Sequence, residues 1–130
     1  MRILTIMAAG WPAFTFQPAT ETAPADYLEQ ERCLAVLNIA AAVPTREESP
    51  GALVLKQRKL VGESYDRLEM ALVMRAGLTP EQVESGMAVF EHEQQQWLEA
   101  FGDAMDYEAR HLVVKHLMEE VTACLPLIPN

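Results

Sequence analysis

The sequence predicts an all-α protein: a four-helix up-down bundle preceded by a signal-like or extended N-terminal segment. Three observations predict it. Apolar residues recur at three- and four-residue intervals through most of the chain. Capping residues stand at the starts of these stretches: Asp26, Ser49 and Thr79. Prolines and Gly77 mark the gaps between them. At 130 residues, with 50% hydrophobic and 22% charged positions, the chain has the size and composition of one globular domain.

Asp26-Tyr27-Leu28-Glu29 has the form of a capping box, so the first helix is expected from Asp26 to about Ala42. Leu34, Leu37 and Ala41 would form its buried stripe, with Cys33 beside Leu37. Val43-Pro44 ends it, because the residue before proline disfavours α geometry. Ser49 and Pro50 open the second helix as N-cap and first helical residue. Val54, Val61, Tyr65, Leu68 and Leu72 supply its apolar spacing. Gly77 is expected as its left-handed C-cap, and Arg75 favours the negative helix end.

The third helix has the clearest local signal. Thr79 is the N-cap, Pro80 takes the first position, and Gln82 completes a box, with Leu78 and Val83 placed for a hydrophobic staple. Val83, Met87, Phe90, Trp97 and Phe101 are expected to make its buried face. A break is expected at Gly102, with Asp103 capping a fourth helix. The rival is one continuous helix from Pro80 to Leu125, a rod of roughly 69 Å. A compact chain of this size has a radius of gyration of about 14 Å. The rod would need a dimer to cover it, so the break is favoured and the chain is read as a monomer or homodimer. Met105, Ala109, Leu112, Val113, Leu117, Val121 and Cys124 are the expected buried face of helix four.

Residues 1–25 differ from the bundle at 26–130. Arg2 precedes the apolar run Ile3 to Ala9, and no acidic residue appears before Glu21. This has the form of a signal peptide, with Ala23-Pro24-Ala25 as a cleavage site. The alternative is an extended arm packed over the bundle. Export predicts a periplasmic or secreted protein; the arm predicts a cytoplasmic one. Cys33 and Cys124 have no zinc-ligand spacing. In an up-down bundle both fall near one end, and export would let them form a disulfide.

The net charge of -9 disfavours nucleic acid and anionic membrane surfaces as partners. No apolar run approaches the roughly 20 residues of a membrane span. Between Arg75 and Arg110 there is no lysine or arginine. Glu81, Glu84, Glu91 and Glu93 lie in this acidic stretch and are candidates for a face that docks a basic protein partner. Even so, Glu91-His92-Glu93 points mostly away from the Phe90 and Trp97 stripe and reads as surface.

Chemical motifs are sparse. Glu108-x-x-His111 has the spacing of carboxylate-bridged di-iron bundles but lacks the second copy those sites need. His116 and Glu120, one turn apart on the shoulder of the apolar face, are the candidate ligand-binding pair. Met70 and Met74 could suggest a soft metal, but methionines at helical spacing more often fill a core. No nucleophile elbow, phosphate loop or HExxH motif occurs. No cofactor, metal or catalytic residue is expected. The leading expectation is a small exported helical protein that binds another protein, as inhibitor, adaptor or assembly factor. The alternative is a metal- or small-ligand-binding bundle using His116 and Glu120.

Overall fold

The computed structural model describes residues 22–43 and 51–130, with backbone alone at 51–55. The expected Ser49 cap, Pro50, the side chain of Val54 and residues 1–21 of the N-terminal segment lie outside the described residues. Four helices follow in order: α1 (Ala25–Ala42), α2 (Gly51–Val73), α3 (Pro80–Asp103) and α4 (Tyr107–Cys124). A single 3₁₀ turn, Leu125–Leu127, follows α4. The described residues contain no strand, so the protein is all-α as expected.

Side-chain contacts set the helix directions. Arg75, just past α2, pairs with Asp26 at the start of α1, and Arg58 in α2 donates to the Val43 carbonyl oxygen at the end of α1. These helices are therefore antiparallel. Gln82 of α3 reaches the Thr22 carbonyl, and Glu93 of α3 reaches Arg32, so α3 runs parallel to α1. Gln30 of α1 donates to the Leu127 carbonyl beyond α4, which makes α4 antiparallel to α1. The directions alternate as an up-down bundle requires.

The packing has a hub. α1 contacts each of the other three helices, α3 most extensively, whereas α3 and α4 meet at only a few points. Its buried residues are Tyr27, Cys33, Ala35, Val36, Leu37 and Ile39. At 3.6 residues per turn these project to every side of the helix. The expected stripe of Leu34, Leu37 and Ala41 is therefore replaced by all-round burial, and Ala41 itself is exposed. The core combines Cys33, Val36 and Leu37 with Val61 and Leu68 of α2, Trp97 of α3, and Leu117, Val121 and Cys124 of α4.

Local signals succeeded where no distant group competed. Thr79 and Gln82 form the expected box: Gln82 N donates to Thr79 Oγ1 at 3.1 Å, and Thr79 N to Gln82 Oε1 at 2.9 Å. At α1 the expected box is absent. Pro24 is the N-cap and makes no side-chain cap bond. The Asp26 carboxylate instead takes the Arg75 guanidinium at 3.0 Å, and Glu29 takes Arg32 at 2.7 Å. The helix already begins at Ala25, so Asp26 lies inside it and not at the cap position, and the Arg75 fork takes both of its carboxylate oxygens. Arg75 also lies over the Tyr27 ring, 5.5 Å from its centroid. Gly77 is left-handed at φ 86°, but α2 already ends at Val73, so this glycine turns the connection rather than capping the helix.

The break between α3 and α4 is present, and it excludes the continuous rod. It falls at Ala104 and Met105; Asp103 is the last residue of α3, and Asp106 caps α4 by accepting from Ala109 N at 2.8 Å. Part of the expected face of α3 is present, since Trp97 is buried and Phe101 packs against the core, but at its N-terminal end the face is rotated. Gln82, Gly86 and Trp97 are buried, while Val83 and Met87 are exposed. In α4, Leu117, Val121 and Cys124 are buried as expected, but Leu112, and Met105 just before the helix, are exposed. Met70 and Met74 are likewise exposed, not core filler.

Ser64 is fully buried in α2, and among the described residues its hydroxyl has no hydrogen-bond partner. An unpaired buried hydroxyl is unfavourable, and alanine has the higher helix propensity. Ser64→Ala is expected to raise stability by about 1 kcal/mol, measured by urea denaturation. A loss of stability would show that the hydroxyl has a partner after all.

Candidate functional site

Cys33, in the third turn of α1, and Cys124, the last residue of α4, form a disulfide with an S–S length of 2.08 Å and Cα atoms 5.7 Å apart. Both residues are fully buried. The expected pair is therefore present.

Arg32 stands beside this bond. Its Nη2 lies 3.7 Å from Cys33 Sγ and 3.8 Å from Cys124 Sγ. The same guanidinium meets Glu29 at 2.7 Å, Glu120 at 3.3 Å and Glu93 at 3.5 Å. Glu93 is further held by Trp97 Nε1–H at 2.9 Å. The hydrogen bond to Glu29, then the surrounding carboxylate charge, raises the Arg32 pKa above its ordinary value despite partial burial. One cation thus ties α1, α3 and α4 together next to the disulfide. Among the described residues the cluster brings together a disulfide, one guanidinium and three carboxylates.

The acidic candidates divide. Glu93 points inward to Arg32 and Trp97, with a side chain only 15% exposed, so it is not the surface group its sequence neighbours suggested. Glu81, Glu84 and Glu91 are exposed on the outer side of α3, with Glu99. Beside them run three exposed apolar side chains, Val83, Met87 and Leu98, at 40%, 54% and 51%. At 100° per residue from the buried Gly86, this apolar flank comes first and the carboxylates lie just beyond it. Among the described residues no lysine or arginine pairs with Glu81, Glu84, Glu91 or Glu99.

His116 and Glu120 take different partners. His116 is exposed, with Nδ1 3.7 Å from Glu119 and its ring centroid 5.4 Å from that of Trp97. Glu120 turns to Arg32. Glu108 and His111 are exposed, and the His111 ring stacks on Tyr107 at 6.1 Å. Among the described residues no group of three or more His, Cys, Asp or Glu could hold a metal ion. No helix among them is long and apolar enough to cross a membrane. Sequence reasoning missed Arg32, although Glu29-x-x-Arg32 has ion-pair spacing on a helix and was the available signal.

Buried Tyr27 and half-buried Glu31, one turn apart on α1, form a second pair. Burial raises the Glu31 carboxyl above its usual range, and the hydrogen bond from Tyr27 opposes that shift. Burial and the Glu31 charge together raise the Tyr27 phenol. No family model, curated protein or solved structure matches this chain.

Proposed function

We propose that this protein is an exported binding module that holds a basic protein partner on the outer face of α3. The observation that carries this reading is the exposed flank of Val83, Met87 and Leu98, bordered by Glu81, Glu84 and Glu91. An apolar strip with a rim of one charge sign suits a partner with apolar anchors and flanking lysine or arginine. The acidic rim speeds encounter and selects against acidic proteins, while the apolar strip supplies the area removed from water. Glu93 has no part in the rim, because it is engaged inside the fold. The buried disulfide supports export, since such bonds persist in oxidising compartments.

The test uses the full chain expressed in a secreting host. Charge reversal at Glu84 and Glu91, and separately Met87→Asp, should abolish capture of a partner that wild-type protein retains at low salt. Raising the salt should weaken the wild-type complex. Reversal at Glu108, on α4, serves as the surface control. Unchanged capture by both α3 variants would overturn the α3 face, and a full-length product confined to the cytoplasm would overturn export.

A further inference from the structure

We propose that Met70 and Met74 form a surface site for a soft monovalent cation, Cu(I) or Ag(I). Three observations carry it. The side chains are 61% and 72% exposed, so their sulfurs are available to a ligand and are not packing the core. They stand four residues apart within α2 and the turn that follows it, and Met74 N donates to the Met70 carbonyl at 2.9 Å, which continues the helical geometry through the pair. Side chains at this spacing have Cβ atoms about 5–6 Å apart, and flexible thioethers from that base can converge on one ion. Finally, the chain has two cysteines and both are held in the disulfide. No free thiolate competes, so thioethers are the softest donors present.

The donor set determines the ion. A neutral thioether is a poor ligand for Mg(II), Ca(II) or Zn(II) and a good one for Cu(I) and Ag(I). A thioether carries no titrating proton, so the site should bind in mild acid, where ordinary imidazoles are protonated. The proposal is independent of the partner face on α3. Leucine at both positions removes sulfur and keeps the apolar volume, so it separates metal binding from any protein contact made by the same side chains.

The test is a titration of the full chain with silver nitrate at pH 5, free of chloride, followed by methyl signals of methionine. Ag(I) stands in for Cu(I) without redox chemistry. The Met70 and Met74 methyl signals should shift and saturate near one equivalent, and each of Met70→Leu and Met74→Leu should weaken binding by about tenfold or more. Met87 and Met105 are exposed thioethers with no methionine one turn away and serve as internal controls. Equal shifts at Met87 and Met105 would overturn the site, as would wild-type affinity in Met70→Leu or no saturable shift. Unchanged circular dichroism in the double leucine variant checks that the fold is intact.

Discussion

Replacing Cys33 and Cys124 together with alanine is expected to lower stability by about 4.5 kcal/mol, the chain-entropy value for a crosslink of this span. The bond joins residues 91 apart in sequence and closes most of the described fold into one loop. Without it the denatured chain gains freedom, while the native contacts around Val36, Leu37 and Val121 remain. At roughly 4 °C per kcal/mol for a domain of this size, the melting temperature should fall by about 15–20 °C. Denaturation of wild-type protein with and without a dithiol measures the same quantity, because the buried bond becomes reducible on unfolding. A loss below about 1.5 kcal/mol would show that the denatured chain is already compact, or that the bond is strained.

The second large effect lies at Gly86. A Cβ built there would fall 2.6 Å from Cζ and 2.7 Å from Cε2 of Tyr27, and closer still to its hydroxyl. Tyr27 is 2% exposed and covered by Arg75, so its ring has little room to turn aside. Gly86→Ala must therefore push α1 and α3 apart, along the most extensive contact in the fold. Overpacking of this kind costs about 1–3 kcal/mol, against a gain of about 1 kcal/mol in helix propensity. A net loss approaching the upper end of the difference, up to about 2 kcal/mol, is expected, because rigid ring atoms and not a flexible tip are displaced. Gly62 is the matched control. It lies inside α2 with nothing within 4 Å of an added Cβ, so Gly62→Ala should stabilise by about 0.5–1 kcal/mol. Equal stabilisation by both substitutions, compared by urea denaturation, would refute the close approach. In a double-mutant cycle, Gly86→Ala should cost less in a Tyr27→Ala background than in the wild-type protein.

Gly86 also shows why the buried face of α3 was hard to read. Periodicity weighs large apolar residues, so it selected Val83 and Met87. The face that meets α1 is instead lined by Gln82 and Gly86, because close helix approach needs small groups and the capping glutamine is drawn inward. The same limit applies to Asp26. Its box signature is local, but Arg75 is 49 residues away and decides the carboxylate's position. Thr79 and Gln82 were legible because both partners of each bond lie within four residues. The nearness of the two cysteines was legible from topology, because alternating helix directions bring the last turn of α4 to the first half of α1; the bond itself was expected only with export. All-round burial of α1 had a signal too, the nearly unbroken apolar stretch from Cys33 to Ala42. Glu91 and Glu93 are alike in composition, yet one faces solvent and the other Arg32. Only the phase of the helix against α1 separates them, and that phase is a tertiary property.

The central position of α1 has a consequence during synthesis. Of the four described helices it is the first to be made, and it is the one the other three pack against. Among the described residues its partners are all made later, and the surface that meets α4 waits until Cys124 is made. At about 5–20 residues per second, the 82 residues between Ala42 and Cys124 take roughly 4–16 s to emerge. The nascent chain must therefore pass a long interval with its stickiest segment uncovered. A holding chaperone that recognises Cys33 to Ala42 would shorten the exposure, and slowing translation downstream of Ala42 should increase aggregation in its absence.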